Sequence, residues 1–242
     1  MKLCVAQTRP VKGDIQRNTA NHKKLIDLAV ADGADIIIFP ELSISGYEPE
    51  LANEVATTLE DSRFDIFQAI SNRHRITIGV GVPIRTVRGI WISLLIFQPE
   101  QPRQLYAKQY LHPDEEPYFV SGQPTTGLIG DKTRIALAIC YEISVPEHAE
   151  RAHELEAGIY LASVAKSVAG VEKATETLAG VAQTYAMPVL MANCIGHCDN
   201  FDCGGKSSVW NAKGELLGQL DDAHEGLLLF DTETQAVSAI TA

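Results

Sequence analysis

The sequence has no apolar run long enough to cross a membrane, which takes about 20 consecutive apolar residues. The longest run, from Gly89 to Phe97, is too short and contains Ser93. The N-terminal residues turn polar at Gln7, before the apolar core of a signal peptide has formed. We therefore expect a cytoplasmic protein that has no membrane partner.

Basic residues are also scarce. The chain has 20 Lys and Arg against 31 Asp and Glu, so its formal net charge is −11 at pH 7. A surface of this sign repels phosphate groups, and we expect no nucleic-acid partner. Hydrophobic residues make up 45% of the chain and charged residues 21%. These values are typical of a folded globular protein and argue against disorder.

Cysteine is too infrequent, and odd in number, for a disulfide framework. The five cysteines are Cys4, Cys140, Cys194, Cys198 and Cys203. An odd count in a chain long enough to build a large core favours reduced thiols. The last three cysteines, with His197 among them, fit the spacing of a zinc site only in part, because such sites pair two closely spaced sets of ligands. We expect no metal.

Linkers, repeats and low-complexity tracts are absent, so we expect one domain over residues 1–242. Hydrophobic patterning predicts strands that alternate with helices, mixed with hairpins. The predicted strands are 2–8, 35–39, 76–82, 91–97, 104–107, 134–140, 159–163, 189–193, 207–211, 215–219 and 226–230. The predicted helices are 18–32, 61–74, 147–156 and 171–186. This order indicates an α/β domain with parallel and antiparallel pairing.

Three predicted strands end in residues that could perform chemistry. Glu41 follows an apolar strand directly, and partial desolvation there would raise the pKa of its carboxyl group toward the range of a general base. Lys108 leaves another strand and could stabilise a developing oxyanion. Cys140 ends a third strand, where a thiolate would be a strong nucleophile. Taken singly, each has an ordinary explanation: a solvated Glu, a surface Lys and a core thiol.

In this order, the three segments resemble the nitrilase, or carbon–nitrogen hydrolase, superfamily. The resemblance extends over nearly the whole chain. Its motifs are FPELSISGY at 39–47; Lys108 with Leu111, Pro113, Glu115 and Phe119; ICYE at 139–142 with Pro146-Glu147; and the C-terminal segments at 192–196, 204–208 and 211–215.

The resemblance implies a fold and a class of reaction. The fold is α/β, a four-layer α-β-β-α sandwich with two central mixed β-sheets, in at least a homodimer. The reaction is hydrolysis of non-peptide C–N bonds in a small linear amide or carbamoyl compound, with release of ammonia or an amine. A minority branch hydrolyses nitriles. The superfamily needs no metal or organic cofactor, so we expect none here.

The resemblance also implies roles for particular residues. Cys140 corresponds to the nucleophile and Glu41 to the general base. Lys108 would hold the oxyanion together with a backbone N–H, for which we expect Tyr141. Glu115 corresponds to a second glutamate that supports the site.

Other assignments follow less directly. A shift of one residue in the alignment would exchange Glu115 for Glu116. Glu142 is either a catalytic or a structural carboxylate. Tyr47 and Lys166 are candidate substrate-binding residues. The segment 143–146 has no Arg to bind a substrate carboxylate, which weakens the case for a carbamoyl amino acid.

Three alternatives stay open from the residues alone. The chain could be a nitrilase, which converts a nitrile to an acid and ammonia. It could be a non-catalytic binding subunit of the same fold. A Cys–His dyad is the third, and His112 is the histidine nearest to a predicted site segment.

Overall fold

The computed structural model describes residues 1–123, 127–130 and 133–242. The strands in these ranges are β1 (Lys2–Gln7), β2 (Ile36–Ile38), β3 (Thr77–Thr86), β4 (Gly89–Phe97), β5 (Gln104–Ala107), β6 (Leu128–Ile129), β7 (Ile135–Ile139), β8 (Ile159–Ser163), β9 (Val189–Ala192), β10 (Ile195–Cys198), β11 (Phe201–Gly204), β12 (Ser208–Trp210), β13 (Leu216–Gln219), β14 (Gly226–Asp231) and β15 (Val237–Thr241). The helices are α1 (Ile15–Ala31), α2 (Ala52–Val55), α3 (Asp65–His74), α4 (Pro146–Glu154) and α5 (Val168–Tyr185). Single 3₁₀ turns lie at Pro49–Leu51, Ser62–Phe64, Pro113–Glu115 and Cys140–Ser144.

Two large sheets organise the fold. The first has the strand order β15-β14-β1-β2-β3-β4-β5, and the second has the order β13-β12-β9-β8-β7-β6. In the first sheet β1, β2 and β3 run parallel and the outer strands pair antiparallel. In the second, β7, β8 and β9 run parallel. Both sheets are therefore mixed, as predicted.

Side-chain alternation along the strands builds the layers. In β1, Leu3 and Val5 point to the core between the two sheets. Cys4 and Ala6 point the other way, into a second core beneath α1 and α3. This two-residue period is what a strand buried on both faces requires. Helices α4 and α5 pack against the second sheet. The result is the predicted four-layer α-β-β-α sandwich.

Several element boundaries differ from the prediction for local reasons. Helix α1 begins at Ile15, before the predicted residue 18, because the Asp14 side chain caps it by accepting from the Arg17 N–H. The predicted helix 61–74 is a 3₁₀ turn followed by α3. The prediction missed β6, β10, β11 and β15. Strands β10 and β15 carry exposed or half-exposed positions beside small residues, which removes the apolar alternation that marks a strand.

The structure also bears on membrane association. No helix in the described part of the chain is both long enough and apolar enough to span a bilayer.

Gly81 of β3 lets two chain segments approach closely. A Cβ at this position would lie 2.2 Å from the Pro40 carbonyl oxygen and 2.4 Å from the Leu42 nitrogen. Both contacts are with backbone, so no side-chain rotation could relieve them. The turn after β2, which carries Glu41, depends on the missing side chain.

We expect Gly81→Ala to lower the free energy of unfolding by about 1–3 kcal/mol, as overpacking of a rigid site does. Gly180→Ala is the matched control. Gly180 lies inside α5, and apart from its chain neighbours and the backbone of its own helix no atom of the described residues is within 4 Å of the point that a methyl group would occupy there. Alanine should therefore raise stability by about 0.5–1 kcal/mol. Urea unfolding of both variants measures this, and equal effects at the two positions would contradict the close approach.

Candidate active site

Glu41 lies in a tight turn at the end of β2. The next residue, Leu42, has a φ of +50°, and the Ile44 N–H donates to the Gly81 carbonyl at 3.0 Å. These features hold the turn against β3. The Glu41 carboxylate is only 2% exposed, so it is a buried acid and not a solvated loop residue.

His22 of α1 packs against the same turn and supports it. Its ring stacks on Phe39 with centroids 4.0 Å apart, and its Nε2 lies 2.9 Å from the Ser43 hydroxyl oxygen. Its Nδ1 is 2.7 Å from the Asn18 carbonyl oxygen, which can only accept. Nδ1 therefore carries the proton, and Nε2 accepts from Ser43. Burial lowers the pKa of His22 to about 3, so the ring stays neutral.

Lys108 follows β5 and is held by its backbone on both sides. Its N–H donates to the Ile92 carbonyl at 2.8 Å, and its carbonyl accepts from the Gly122 N–H at 2.7 Å. Its side chain is buried, and Nζ donates to one carboxylate oxygen each of Glu41 and Glu115, both at 2.7 Å. One ammonium group therefore joins two carboxylates inside the protein.

Glu115, and not Glu116, is the second glutamate of the site. Glu115 is 1% exposed, whereas Glu116 lies at the surface. The Tyr47 hydroxyl donates to Glu115 Oε1 at 2.9 Å, and the His112 N–H donates to Oε2 at 2.8 Å. Every oxygen of this carboxylate is thus fixed by a donor, which sets the position of Lys108 in turn.

Cys140 reaches the site from the second sheet. It follows β7 directly with a φ of +42°, a conformation that costs a non-glycine residue of order 1–3 kcal/mol. Its Sγ lies 3.8 Å from the Ala165 carbonyl oxygen. The 3₁₀ turn Cys140–Ser144 starts here, and the Tyr141 N–H has no acceptor within that turn because it belongs to its first residues.

Glu142 connects the two segments that carry the nucleophile and the lysine. Its carboxylate accepts from the Ile139 N–H at 2.7 Å and from the Gln109 N–H at 2.6 Å. It also accepts from the Tyr106 hydroxyl at 2.7 Å. Burial raises the pKa of Glu142 to about 7, against the opposing effect of the two backbone donors. These contacts favour a structural carboxylate that fixes the spacing of the two segments.

The electrostatics differ among the central groups. Burial raises the pKa of the Glu41 carboxyl, and the Lys108 charge opposes that rise. Burial lowers the pKa of Lys108, but Glu41, Cys140 and Glu115 outweigh it and hold the pKa above its ordinary value. Burial, together with the Glu41 charge, raises the pKa of the Cys140 thiol to about 11. At neutral pH the resting site therefore holds a thiol and a charged lysine.

The two oxygens of the Glu41 carboxylate differ in their hydrogen bonding. Oε1 accepts from Lys108, whereas Oε2 is buried and has no hydrogen-bond partner among the described residues. The Cys140 thiol lies close enough to the carboxylate to lower its pKa as a donor. Glu41 thus offers the thiol a carboxylate with an uncommitted oxygen.

A cavity of about 450 Å³ opens onto Cys140. Both candidate substrate-binding residues from the sequence, Tyr47 and Lys166, line it, and the Lys166 charge lowers the pKa of Cys140. The other lining residues are Pro49, Glu50, His112, Asp114, Glu115, Tyr118, Ala165, Ser167, Gly170, Asp199, Asn200 and Phe201. Of these, only His112 and Glu115 were named as candidates from the sequence. The last three belong to the turn and second strand of the unpredicted β10–β11 hairpin.

His112 lines the same cavity but does not form a dyad with Cys140 in this structure. Its ring packs edge-to-face on Tyr141, and its Nδ1 faces Asp114 at 3.5 Å. No hydrogen bond joins the ring to Cys140 among the residues that are described.

Comparison with known proteins relates this chain to a family and to solved structures. A family profile described as carbon-nitrogen hydrolase matches residues 2–241. The glutamine-dependent NAD(+) synthetase of Aquifex aeolicus is 25% identical over 94% of this chain, which spans only 41% of that relative. An (R)-stereoselective amidase of a Pseudomonas species is 27% identical over 66% of this chain and 59% of its own length.

Solved structures match over almost the entire chain. A structure of the amidase from Nesterenkonia sp. AN1, with the acetamide moiety of fluoroacetamide added covalently at the active-site cysteine, has a TM-score of 0.86 and 22% identity, covering 95% of this chain and 89% of that one. A complex of the same amidase with butyramide has a TM-score of 0.87 and 21% identity, covering 97% and 92%. At this identity the likeness shows a common fold.

We expect the contribution of His22 to stability to depend on pH. Its pKa is about 3 in the folded protein and about 6.5 in an unfolded chain. The unfolded state therefore binds the extra proton between these values, and stability is lost as the pH falls below 6.5. Between pH 7.5 and pH 5, His22→Gln should regain about 2 kcal/mol relative to the native protein, measured by urea unfolding.

The matched control is His197→Gln, at a ring exposed on the surface. His197 faces Asp202 at the surface, and because an exposed ion pair contributes only about 0–1 kcal/mol, this variant should stay within about 1 kcal/mol of the native protein at both pH values. A His22→Gln difference that does not change with pH would mean that the buried ring accepts a proton without unfolding.

Proposed function

Because the chain belongs to the carbon–nitrogen hydrolase family, we propose that it hydrolyses a small linear amide through a thioester on Cys140. The observation that supports this most directly is the buried ion cluster of Glu41, Lys108 and Glu115 beside the Cys140 thiol. It offers a base and a fixed positive charge at a nucleophile that faces an open cavity.

The first step requires a base. With a pKa of about 11, the Cys140 thiol keeps its proton at neutral pH. Glu41 Oε2, buried and without another partner, takes that proton as Sγ attacks the amide carbon. The raised pKa of Glu41 makes its carboxylate a better base than a solvated one.

The attack puts a negative charge on the substrate oxygen. Lys108 Nζ and the Tyr141 N–H are the donors that we assign to it. Each such donor in a dry site is worth about 3–4 kcal/mol of transition-state stabilisation. Since Lys108 already holds two carboxylates, it needs little rearrangement to do this.

The remaining proton transfers return the site to its starting state. Glu41 passes the thiol proton to the departing nitrogen, and the C–N bond breaks. Ammonia or an amine is released, and the acyl group stays on Cys140 as a thioester. Glu41 then takes a proton from a water molecule that attacks the thioester carbonyl. The acid product leaves as the proton returns to Sγ. Each step balances without a metal or organic cofactor.

The cavity favours a small neutral amide. Besides Glu115, which pairs with Lys108, its lining includes three acids, Glu50, Asp114 and Asp199, and one lysine, Lys166. Acids in the lining disfavour substrates with a free carboxylate. The butyramide bound by the amidase of similar fold is a neutral linear amide. Carbamoyl compounds stay within the proposal when they are neutral.

A homodimer in the cytoplasm completes the proposal. The homodimer rests on the family resemblance, and size-exclusion chromatography with light scattering would test it.

We expect Cys140→Ser to abolish ammonia release from a panel of linear amides and neutral carbamoyl compounds, because the alcohol is far less acidic and less nucleophilic than the thiol. Cys4→Ala is the matched control, since Cys4 lies in the core beneath α1 and has no contact with the cavity. Intact mass spectrometry of the native protein during turnover should show an acyl adduct that the Cys140→Ser variant lacks.

Other outcomes would identify the alternatives. Turnover of nitriles with none of amides would favour a nitrilase. One relative, from Schizosaccharomyces pombe and 23% identical, is named a probable nitrilase. Binding of amides with neither turnover nor labelling of Cys140 would indicate a non-catalytic subunit. More than a few per cent of native activity in Cys140→Ser would end the proposal.

Kinetics should distinguish Lys108 of the buried ion cluster from Lys166 of the cavity wall. Lys108→Met should lower kcat by about 10²-fold or more with a small change in KM, because the charge acts on the transition state. Lys166→Met is the matched control, and we expect it to change KM more than kcat. Circular dichroism checks that both fold, and a Lys108 variant defective in KM alone would assign that residue to substrate binding.

A further inference from the structure

Three thiols meet in the small two-stranded sheet beside the cavity. In the β10–β11 hairpin, Cys203 lies opposite Gly196, and Cys194 and Cys198 lie two residues to either side of Gly196. The Sγ atoms of Cys194 and Cys203 are 2.7 Å apart, and those of Cys194 and Cys198 are 4.0 Å apart. All three side chains are buried and reduced.

The distance from Cys194 to Cys203 does not fit a metal centre, whereas the 4.0 Å from Cys194 to Cys198 would. Sulfur lies about 2.3 Å from zinc, so two thiolates on one ion are held roughly 3.7–4 Å apart. The approach of Cys194 to Cys203 is much shorter. In addition, no His, Asp or Glu donor joins the cluster among the residues that the structure describes.

The surroundings point the same way. The thiols pack against Ala165, Tyr47 and Phe201. Three thiolates around a divalent ion would leave a net negative charge among these apolar groups, and buried charge without a partner is costly. A disulfide is neutral and fits the same space.

We propose that Cys194 and Cys203 are an oxidisable dithiol that forms a reversible disulfide beside the cavity, with Cys198 as the neighbouring thiol that can exchange with it. This inference does not depend on the amidase activity. The oxidant is a small disulfide, such as oxidised glutathione. One cysteine thiolate attacks it and releases one small thiol, and the second cysteine then displaces the other. The S–S bond forms as the oxidant gains two electrons and two protons.

The β10–β11 hairpin explains how an oxidant can reach this dithiol and what its oxidation would change. A two-stranded sheet is only marginally stable, and the opposite side of this one exposes His197 and Asp202, so local opening can admit a small oxidant. The Gly204 N–H donates to the Lys166 carbonyl at 2.8 Å, and Cys203 forms a β-bridge with Ser167. A disulfide would therefore restrain chain that lines the cavity.

The test counts thiols in the Cys140→Ser background, which removes the proposed nucleophile. We expect four titratable thiols in denaturant before oxidation and two after equilibration with oxidised glutathione, with four again after dithiothreitol. Cleavage before Asp199 and Asp202 separates Cys203 from the other two cysteines. Mass spectrometry without reduction should then show the two fragments linked.

Two variants assign the bond. Cys198→Ser should keep the linked fragments, whereas Cys203→Ser should lose them. Amide exchange over residues 195–204 should slow on oxidation and recover on reduction. Refolding from urea in a glutathione redox buffer repeats the test without any barrier to access.

Four outcomes would overturn the proposal. They are four free thiols after both treatments, glutathione adducts without a protein disulfide, a bond from Cys198 to Cys203 in place of the proposed one, and a stoichiometric metal ion in the purified protein.

Discussion

The site depends on one buried ammonium group that forms ion pairs with two buried carboxylates. Lys108 contacts Glu41 and Glu115 at 2.7 Å each, and all three side chains are essentially inaccessible to water. Loss of the ammonium group, or of the carboxylates, would leave an unpaired ion in the interior, which costs several kcal/mol. The fold therefore has to bring the turn after β2, the segment after β5 and a 3₁₀ turn to one point. The tight contacts of Gly81 and the hydrogen bond from Tyr47 to Glu115 hold them there.

The nucleophile comes from the other sheet, so its distance from the ion cluster is set by how the sheets pack. The Ser163 hydroxyl of β8 donates across the interface to the Phe39 carbonyl at 2.8 Å, just before the Glu41 turn. Glu142 makes a second link, between the end of β7 and the segment after Lys108. These polar contacts fix what apolar packing alone leaves adjustable, because hydrophobic contacts have little directional preference. The strained backbone of Cys140 then directs its thiol to the cavity.

The cavity has a different origin from the ion cluster. Its walls come from loops and from the β10–β11 hairpin, which lies outside both large sheets. The ion cluster and the cavity walls therefore come from different parts of the fold. Loop residues of such walls can vary, and so change the substrate, while the cluster stays the same. The hairpin that supplies Phe201 and Asn200 also holds the three thiols. Any chemistry at those thiols would therefore act on the wall and leave the Glu41–Lys108–Glu115 cluster in place.

Much of this protein could be predicted from local patterns and motifs. The apolar runs around Ile36–Ile38 and Ile135–Ile139 mark buried strands, and Glu41, Lys108 and Cys140 follow strands in an order that resembles one superfamily. The motif resemblance assigned Glu115, but a shift of one residue would have exchanged it for Glu116, and only the structure shows which of the two adjacent residues the 3₁₀ turn buries. Local patterns grouped Cys194, Cys198 and Cys203 as a partial zinc motif but did not predict that Cys194 and Cys203 meet, because spacing along the chain does not report which side chains a hairpin brings face to face. Chain order determined which groups are available, and only tertiary packing decided which of them meet, since burial and distance depend on segments far apart in sequence.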